Sequence, residues 1–164
     1  MVVNVHTRDL QASPSEVGAL IDSLASEDDR LWPGNKWPQM LFDRPLCVGA
    51  EGGHGLIRYV VDSYIPGWYI RFRFTAPAGF IGTHAFDMVE IKPGVVRLRH
   101  VINMSLQEKG IGIWWALAIR WLHDALIEDA FDRAEANFAP GPVEQRRWSV
   151  WVRFLRYIVR KKKT

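Results

Sequence analysis

Two histidines are the residues of this sequence best suited to chemistry. His84 lies in the alternating segment 82–91, and His100 lies in the alternating segment 95–106. In each segment, the parity that turns the apolar side chains inward also turns the histidine inward. Neutral imidazole accepts and returns a proton near physiological pH, so an inward pair can serve as general acid and base. The alternative is that each is a buried histidine bonded to a neighbouring tyrosine, backbone group or water.

The two segments are joined at Pro93-Gly94, a turn signal that predicts an antiparallel hairpin. If both parities are kept in register, His84 lies diagonal to His100, at about 7–8 Å. The same register places Asp87 opposite Arg99 on the outer face, where an exposed ion pair contributes at most about 1 kcal/mol. We therefore expect any catalytic role to fall to the histidines rather than to this pair.

A metal ion is not expected at these histidines. Two imidazoles need a third ligand, and the inward carboxylate of these strands, Glu90, lies at the far end of its strand. The other histidines are predicted to have no role, with His6 on a strand exterior, His54 in a glycine loop and His123 on a helix flank. No Walker or dinucleotide motif occurs, and we expect no cofactor.

Alternating hydrophobicity predicts that strands dominate the first two thirds of the chain. A first strand is predicted at residues 2–10. Pairs of proline and glycine then divide the middle of the chain into an antiparallel meander. Its four predicted strands lie at about 56–64, 68–76, 82–91 and 95–106.

Helices are predicted on either side of this meander. Ser13-Pro14-Ser15-Glu16 is typical of a helix start, whereas residues 28–55 indicate a short helix or an irregular segment with loops. Residues 111–138 predict one long helix, and residues 146–160 a separate amphipathic one. Runs of strands with segregated helices indicate an α+β fold, in which a curved antiparallel sheet is covered by the long helix.

This order resembles the START-like superfamily, also called SRPBCC or helix-grip, which includes polyketide cyclases, lipid-transfer proteins and coenzyme-Q-binding proteins. The similar segments are residues 13–17 (SPSEV), 82–88 (GTHAFDM), 93–100 (PGVVRLRH) and the helix 111–138. The resemblance spans about residues 1–138. It implies a curved sheet that grips the long helix around a cavity for a hydrophobic molecule.

The covered face of the sheet supplies the candidate ligand-binding residues. Large apolar and aromatic side chains with a few polar groups are typical of a ligand pocket, and equally of a solid core. The predicted lining residues are Tyr59, Val61, Ile70, Phe72, Phe74, Phe86, Met88, Leu98, Ile102, Met104, Leu122 and Leu126. The expected ligand is a lipid, a quinone or a polyketide-like compound. The alternative is a cyclase or aromatase-like enzyme that uses His84 and His100.

Charge divides the chain into an acidic domain and a basic end. The 21 lysines and arginines exceed the 18 acidic residues by three, yet residues 146–164 hold eight basic residues and no acid. The remainder therefore carries 13 basic against 18 acidic residues, a net charge of −5. We expect a ligand-binding domain at residues 1–140 and a basic extension at residues 141–164.

The basic end predicts an amphipathic helix with tryptophan at its boundary, a pattern typical of membrane-surface binding. The alternatives are docking on the domain, a homodimer contact and nonspecific binding of RNA, whereas specific nucleic-acid binding is not expected. The candidate residues for this surface are Trp148, Trp151, Arg153, Arg156, Arg160 and Lys161.

One cysteine, Cys47, excludes an internal disulfide framework and favours a reducing compartment. The N-terminus shows no signal-peptide pattern, and no apolar run is long enough for a membrane span. We therefore expect a cytoplasmic protein that the basic end can bring to the membrane periphery.

Overall fold

A computed structural model describes residues 1–108, 110–144 and 146–161. It contains seven strands, which form one antiparallel sheet in the order β1-β7-β6-β5-β4-β3-β2. The strands are β1 (Val2–Leu10), β2 (Met40–Phe42), β3 (Glu51–His54), β4 (Ile57–Ile65), β5 (Tyr69–Ala76), β6 (Phe80–Lys92) and β7 (Val95–Leu106). The predicted α+β class and the sheet that curves around a long helix are confirmed.

Helices cover one face of this sheet. They are α1 (Pro14–Asp22), α2 (Ile111–Trp114), a π-helical turn (Trp115–Ile119), α3 (Arg120–Ala136) and α4 (Val150–Lys161). Because α2, the π turn and α3 follow without a break, we refer to residues 111–136 as the long helix. No helix in the part of the chain that the structure describes is long and apolar enough to cross a membrane.

Helix α1 begins where the sequence predicts, at Ser13-Pro14. The Ser13 Oγ accepts from the Glu16 backbone N–H, and the Glu16 carboxylate accepts from the Ser13 N–H, which makes a capping box. Farther along α1, Gly18 lies against the β4–β5 turn, where an added Cβ would come within 2.2 Å of the Gly67 carbonyl oxygen. Glycine at this position therefore lets α1 pack directly on the turn.

The predicted register of the β6–β7 hairpin is confirmed. Phe86 pairs with His100, and His84 pairs with Ile102. The outer pair is also present, since the Arg99 Nε donates to Asp87 at 2.7 Å. Parity and the turn at residues 93–94 were sufficient for this result, because a slip by one residue would move every apolar side chain to the solvent face.

Two short strands differ from the prediction that residues 28–55 are helical or irregular. Strands β2 and β3 pair with each other, and β3 pairs with β4, which extends the sheet to seven strands. Glycine hides β3 from a hydrophobicity pattern, since its sequence is Glu51-Gly-Gly-His54. Gly52 is required there, because a Cβ would lie 2.2 Å from the Leu41 carbonyl oxygen.

The helix bounds also differ from the predicted ones. The long helix ends at residue 136 and contains the π turn, whereas an uninterrupted helix over residues 111–138 was expected. The final helix begins at Val150 rather than at residue 146. A π turn leaves no hydrophobicity signal of its own, and such turns occur often at functional sites.

Apolar side chains form two separate clusters between the sheet and the helices. The larger cluster joins α1, residues 31–40 and the C-terminal half of the long helix, with Phe72, Phe86 and Phe131 at its centre. The smaller cluster consists of Phe74, Phe80, Ile102, Met104 and Trp115, with partly buried neighbours around them. The interior is therefore divided between the two ends of the long helix.

One buried carboxylate ties the chain leading to α4 onto the domain. Asp129 of the long helix accepts from the indole N–H of Trp37 at 2.7 Å, from that of Trp148 at 2.8 Å and from the Lys36 ammonium at 3.0 Å. Arg156 of α4 then lies over both indole rings, 4.1 Å and 3.9 Å from their centroids. Asp129 thus connects the long helix, the loop before β2 and the final segment.

Asp129→Ala should destabilise the protein and loosen the final helix. Removing the acceptor leaves two indole N–H groups and one ammonium without their buried partner, which costs about 3 kcal/mol or more. Urea unfolding measures the free energy, and limited trypsin digestion measures cleavage near residues 146–147. Asp9→Ala, which removes the exposed ion pair with Arg97, is the matched control and should cost at most about 1 kcal/mol. Equal losses in both variants would contradict this role.

Candidate functional site

All five histidines of the chain lie in one row that crosses the covered face of the sheet. The His54 Nδ1 is 3.1 Å from the Tyr59 hydroxyl, and the Tyr59 ring is 4.7 Å from the ring of His84. His100 is the next member after His84. The ring centroids of His100 and His123, which belongs to the long helix, are 5.1 Å apart, and those of His123 and His6, which belongs to β1, are 5.9 Å apart. We call these five residues the histidine row.

The predicted pair, His84 and His100, lies at the centre of the row. The Nε2 of His100 is 3.4 Å from the Nδ1 of His84, so one imidazole donates to the other. Both are deeply buried, with 4% and 1% of their surface exposed. Burial lowers the pKa of each well below the ordinary histidine value, with further lowering by neighbouring histidines. The pair is therefore neutral at pH 7.

The outer nitrogens of this pair have no hydrogen-bond partner. His84 Nε2 and His100 Nδ1 are both buried and unpaired among the described residues. Their surroundings are apolar, because the His84 ring stacks on Phe72 at 4.8 Å and on Phe74 at 5.0 Å. Phe72 belongs to the larger apolar cluster and Phe74 to the smaller one. The two unpaired nitrogens therefore mark the boundary between the clusters.

The prediction that His6 lies on a strand exterior is wrong. β1 pairs with β7 so that His6 is directly opposite His100, and directly opposed residues share a face. His6 therefore lies under the long helix, while Val3 and Val5 of the same strand are exposed to solvent. The inverted assignment has a simple cause: this edge strand turns its polar side chains inward, toward charged partners on the helix.

Those partners form what we call the polar seam, the contact of Asn4, His6 and Arg8 with Asp124, Glu128, Asp132 and Glu135. The Nδ1 of His6 is 2.9 Å from Glu128, and its Nε2 is 3.1 Å from Asp124. Arg8 donates to Glu128 at 3.1 Å, to Asp132 at 3.0 Å and also to Glu135. Every member of the seam is at least partly buried.

The seam shifts the pKa values of its members in opposite directions. Burial alone would lower the pKa of His6, but its hydrogen bonds to Asp124 and Glu128 raise it to about 9. Burial would raise the pKa of Asp124, but its imidazole and amide neighbours hold it below the ordinary value. His6 is therefore an imidazolium at neutral pH, unlike the buried pair in the middle of the row.

A signal for the seam exists in the sequence. The helix acids at positions 124, 128, 132 and 135 are spaced by four, four and three residues, which puts them on one helical face. The polar residues at positions 4, 6 and 8 are spaced by two, which puts them on one strand face. Only the assumption that apolar residues must lie inward hid this complementarity.

The predicted lining residues all lie on the covered face. Most belong to the larger apolar cluster, while Phe74, Ile102 and Met104 belong to the smaller one. Leu122 is half-buried, and the other eleven are buried. Their rings contact one another closely, as Tyr59 does with Phe72 at 5.0 Å, so the space around His84 is filled in this structure.

Solved structures similar to this chain share its fold. No family model and no curated protein sequence matches the chain. A norcoclaurine synthase point mutant from Thalictrum flavum, in complex with a transition state analogue, has a TM-score of 0.62 at 12% identity, covering 83% of this chain and 94% of that one. CalU16 from Micromonospora echinospora has a TM-score of 0.55 at 12% identity, and the match covers 95% of this chain and 82% of that one. XoxI from Bacillus cereus has a TM-score of 0.61 at 14% identity, and the match covers 84% of this chain and 96% of that one.

The chain has a helix-grip fold. At these identities the likeness concerns the fold alone. The expected helix-grip architecture is therefore present.

The final helix lies against the helix-grip body of the protein. Val152 and Leu155 are buried, and the Arg156 guanidinium donates to the Lys36 carbonyl at 2.6 Å. Trp148 is half-buried beside Asp129, so Trp148 and Arg156 both have partners within the chain. Of the other residues predicted for a membrane or partner surface, Trp151, Arg153 and Lys161 are exposed. The side chain of Arg160 lies outside the described part of the structure.

Exposed apolar side chains of the long helix and α4 meet to form an aromatic patch. The Trp151 indole N–H donates to the Leu117 carbonyl at 2.9 Å, which joins the two helices, and Trp151 stacks on Phe154. Trp114 and Leu117 are 66% and 58% exposed. Spacings of three and four residues place each set on one helical face. The aromatic patch consists of Trp114, Leu117, Trp121, Trp151, Phe154 and Ile158.

The buried neutral histidines should make the protein acid-labile. Burial lowers the pKa of His54 to about 3 and those of His84 and His100 well below 6.5, so below about pH 6.5 protons bind the unfolded chain preferentially. Stability is present above that pH and falls as pH falls. Each such histidine should lower the free energy of unfolding by about 1 kcal/mol as the pH falls from about 6.5 to about 5.5. His54→Gln should reduce the fall in unfolding free energy by that amount in urea titrations.

His6→Gln is the matched control with the opposite sign. Because the pKa of His6 is raised to about 9, its contribution is present below about pH 6.5 and is lost as pH rises through about 9. The variant should therefore keep the acid loss of stability and abolish the alkaline loss between about pH 7 and pH 9. Identical pH profiles for the native chain and both variants would contradict the assigned protonation states.

Proposed function

We propose that the protein binds a hydrophobic small molecule between its sheet and its long helix. The observation that carries this proposal is the pair of unpaired, buried nitrogens on His84 and His100 at the boundary of two apolar clusters. A buried polar atom without a partner costs about 1–3 kcal/mol. A ligand that supplies the missing hydrogen bonds recovers this energy, which favours a bound over an empty site.

The chemistry of the site defines the class of ligand. The two neutral imidazoles share one hydrogen bond, so one of their outer nitrogens can donate to a carbonyl or hydroxyl oxygen and the other can accept from a hydroxyl group. The phenylalanine rings on either side suit a flat or aliphatic body. Among the described residues, the side chains that contact His84 are uncharged, so a charged head group would be poorly solvated there. A quinone or a polyketide-like ketone therefore fits better than a fatty acid carboxylate.

Binding requires movement, because aromatic rings fill the space around His84. The first turns of the long helix are the best candidate to move. They contain the π turn and a single well-buried side chain, Trp115, which lies 6.4 Å from the rings of both Phe80 and His123. We expect Trp115 to swing away from the smaller cluster when the ligand enters.

The same geometry favours binding over catalysis. A general base works best with a pKa near the operating pH, and burial moves the pKa values of His84 and His100 well below it. The cyclase alternative would need the ligand itself to restore their basicity. We therefore propose a binding or transport role for this pair.

Native mass spectrometry and tryptophan fluorescence with a short-chain ubiquinone analogue test this proposal, with oleate as the second probe. The native chain should bind the quinone more tightly than oleate. His100→Phe removes one unpaired nitrogen and should weaken quinone binding at least about tenfold, or about 1.4 kcal/mol. Arg99→Gln, on the opposite face of the same strand, should bind as the native chain does.

If neither probe binds, or if His100→Phe and Arg99→Gln bind quinone equally, the interior is a solid core. Single-turnover conversion of a polyketide-like ketone that is lost in a His84→Phe, His100→Phe double variant would favour the cyclase alternative.

We propose as a second function that the aromatic patch binds an anionic membrane surface. Its six exposed apolar residues come from two helices and are flanked by the exposed cations Arg120 and Arg153. Exposed tryptophan beside arginine suits the boundary between lipid head groups and acyl chains. The patch includes the turns of the long helix that must open for a ligand, so insertion would place the opening at the lipid source.

Sedimentation with phosphatidylcholine vesicles, with and without phosphatidylglycerol, tests the patch. The native chain should bind the anionic vesicles, and a Trp114→Ala, Phe154→Ala double variant should lose at least about tenfold in affinity, since each ring buries apolar area worth about 1.5–3 kcal/mol when fully covered. Trp68→Ala, an exposed tryptophan in the β4–β5 turn, is the matched control. Equal vesicle binding by both variants, or salt-sensitive binding to RNA alone, would overturn the proposal.

A further inference from the structure

Three potential metal ligands converge where the polar seam meets the histidine row. They are His6 of β1 and the adjacent residues His123 and Asp124 of the long helix, and one ligand atom of each lies within 4.8 Å of the others. All three side chains are partly buried, so solvent competes with them only in part. Two imidazoles and one carboxylate form a ligand set that suits a transition metal rather than calcium or magnesium.

The distances around one carboxylate oxygen are close to those of a tetrahedral site. The Asp124 Oδ1 is 3.1 Å from His6 Nε2 and 3.7 Å from His123 Nδ1. Zinc bonds of about 2.0–2.2 Å place neighbouring tetrahedral ligands about 3.3–3.6 Å apart. The two observed separations bracket that range, so an ion can be accommodated by small side-chain rotations.

The His123 nitrogen is available for a ligand. Its Nδ1 is buried and has no hydrogen-bond partner among the described residues, since 3.7 Å to Asp124 is too long. A buried imidazole nitrogen left unpaired beside a carboxylate is the arrangement expected of a metal ligand without its metal. This nitrogen belongs to a different residue from the two on which the proposed small-molecule site depends.

Outer contacts hold the ligands in orientation. The other ring nitrogen of His6 is 2.9 Å from Glu128, and the Asn4 amide donates to Asp124 at 3.0 Å. A carboxylate on the far nitrogen of a metal-binding histidine selects its tautomer and raises its basicity. Such a contact is typical of zinc sites.

From this geometry we propose that His6, His123 and Asp124 bind one Zn²⁺ ion, which displaces the proton of His6 Nε2 to solvent, while Glu128 as a positioning residue accepts from the His6 Nδ1–H. Three protein ligands leave a fourth position for water or another small donor, as in catalytic zinc sites. The site joins β1 to the long helix, so the ion would also strengthen the contact between the edge strand and the helix.

Titration of the untagged, EDTA-treated chain with Zn²⁺ in a calorimeter tests the site, with Co²⁺ as a spectroscopic probe of four-coordinate geometry. The native chain should bind one ion and rise in Tm when it does. Glu128→Gln should weaken binding about 10–100-fold, and His123→Gln and Asp124→Asn should weaken it more. Glu135→Gln, a seam carboxylate outside the ligand set, should bind as the native chain does.

Circular dichroism on each variant separates loss of the site from loss of the fold, and His123→Gln provides the decisive result if Asp124→Asn fails to fold. Absence of Zn²⁺ and Co²⁺ binding by the native chain would overturn the proposal. So would binding of unchanged affinity in a folded His123→Gln variant. In either case the cluster is an ion pair of His6 with two carboxylates.

Discussion

The polar seam between β1 and the long helix is the contact on which the rest of the structure depends. Alternate residues of a strand are about 6.6–6.8 Å apart along the strand, and residues four positions apart in a helix are about 6.0 Å apart along its axis, so the two spacings nearly match. Polar side chains at positions 4, 6 and 8 therefore meet acids at 124, 128 and 132 one after another. Ion pairs of this kind add little net stability, but they penalise every other arrangement, because a buried charge without its partner is costly.

The rotation of the long helix follows from the seam. With its acidic face turned toward β1, the same helix directs His123 toward His100, and Phe131 into the larger apolar cluster. The neutral middle of the histidine row and its cationic end then differ only in their neighbours: apolar rings surround His84, whereas two carboxylates hold His6. Burial and charge pairing thus give one residue type two protonation states within one site.

The basic end of the chain is less free than its composition indicates. Arg146 forms an ion pair with Glu128, and Arg156 stacks between the indoles of Trp37 and Trp148, which Asp129 holds in place. Part of the positive charge therefore serves to attach α4 to an acidic domain. The solvent-exposed side chains of α4 are mainly apolar. The proposed membrane contact therefore lies in the aromatic patch, which α4 shares with the long helix.

The sequence alone determined the α+β class, the hairpin register, the helix start at Ser13 and the inward direction of His84 and His100, since period-two parity, capping and turn chemistry are local. It was insufficient for β3, whose two glycines carry no hydrophobic pattern, for β2, which is only three residues long, and for the π turn. Only the tertiary structure decided that His6 and His123 join the same row and that Trp148 turns inward. Those outcomes depend on contacts between residues more than a hundred positions apart, or on partners such as Asp129 that local periodicity does not reveal.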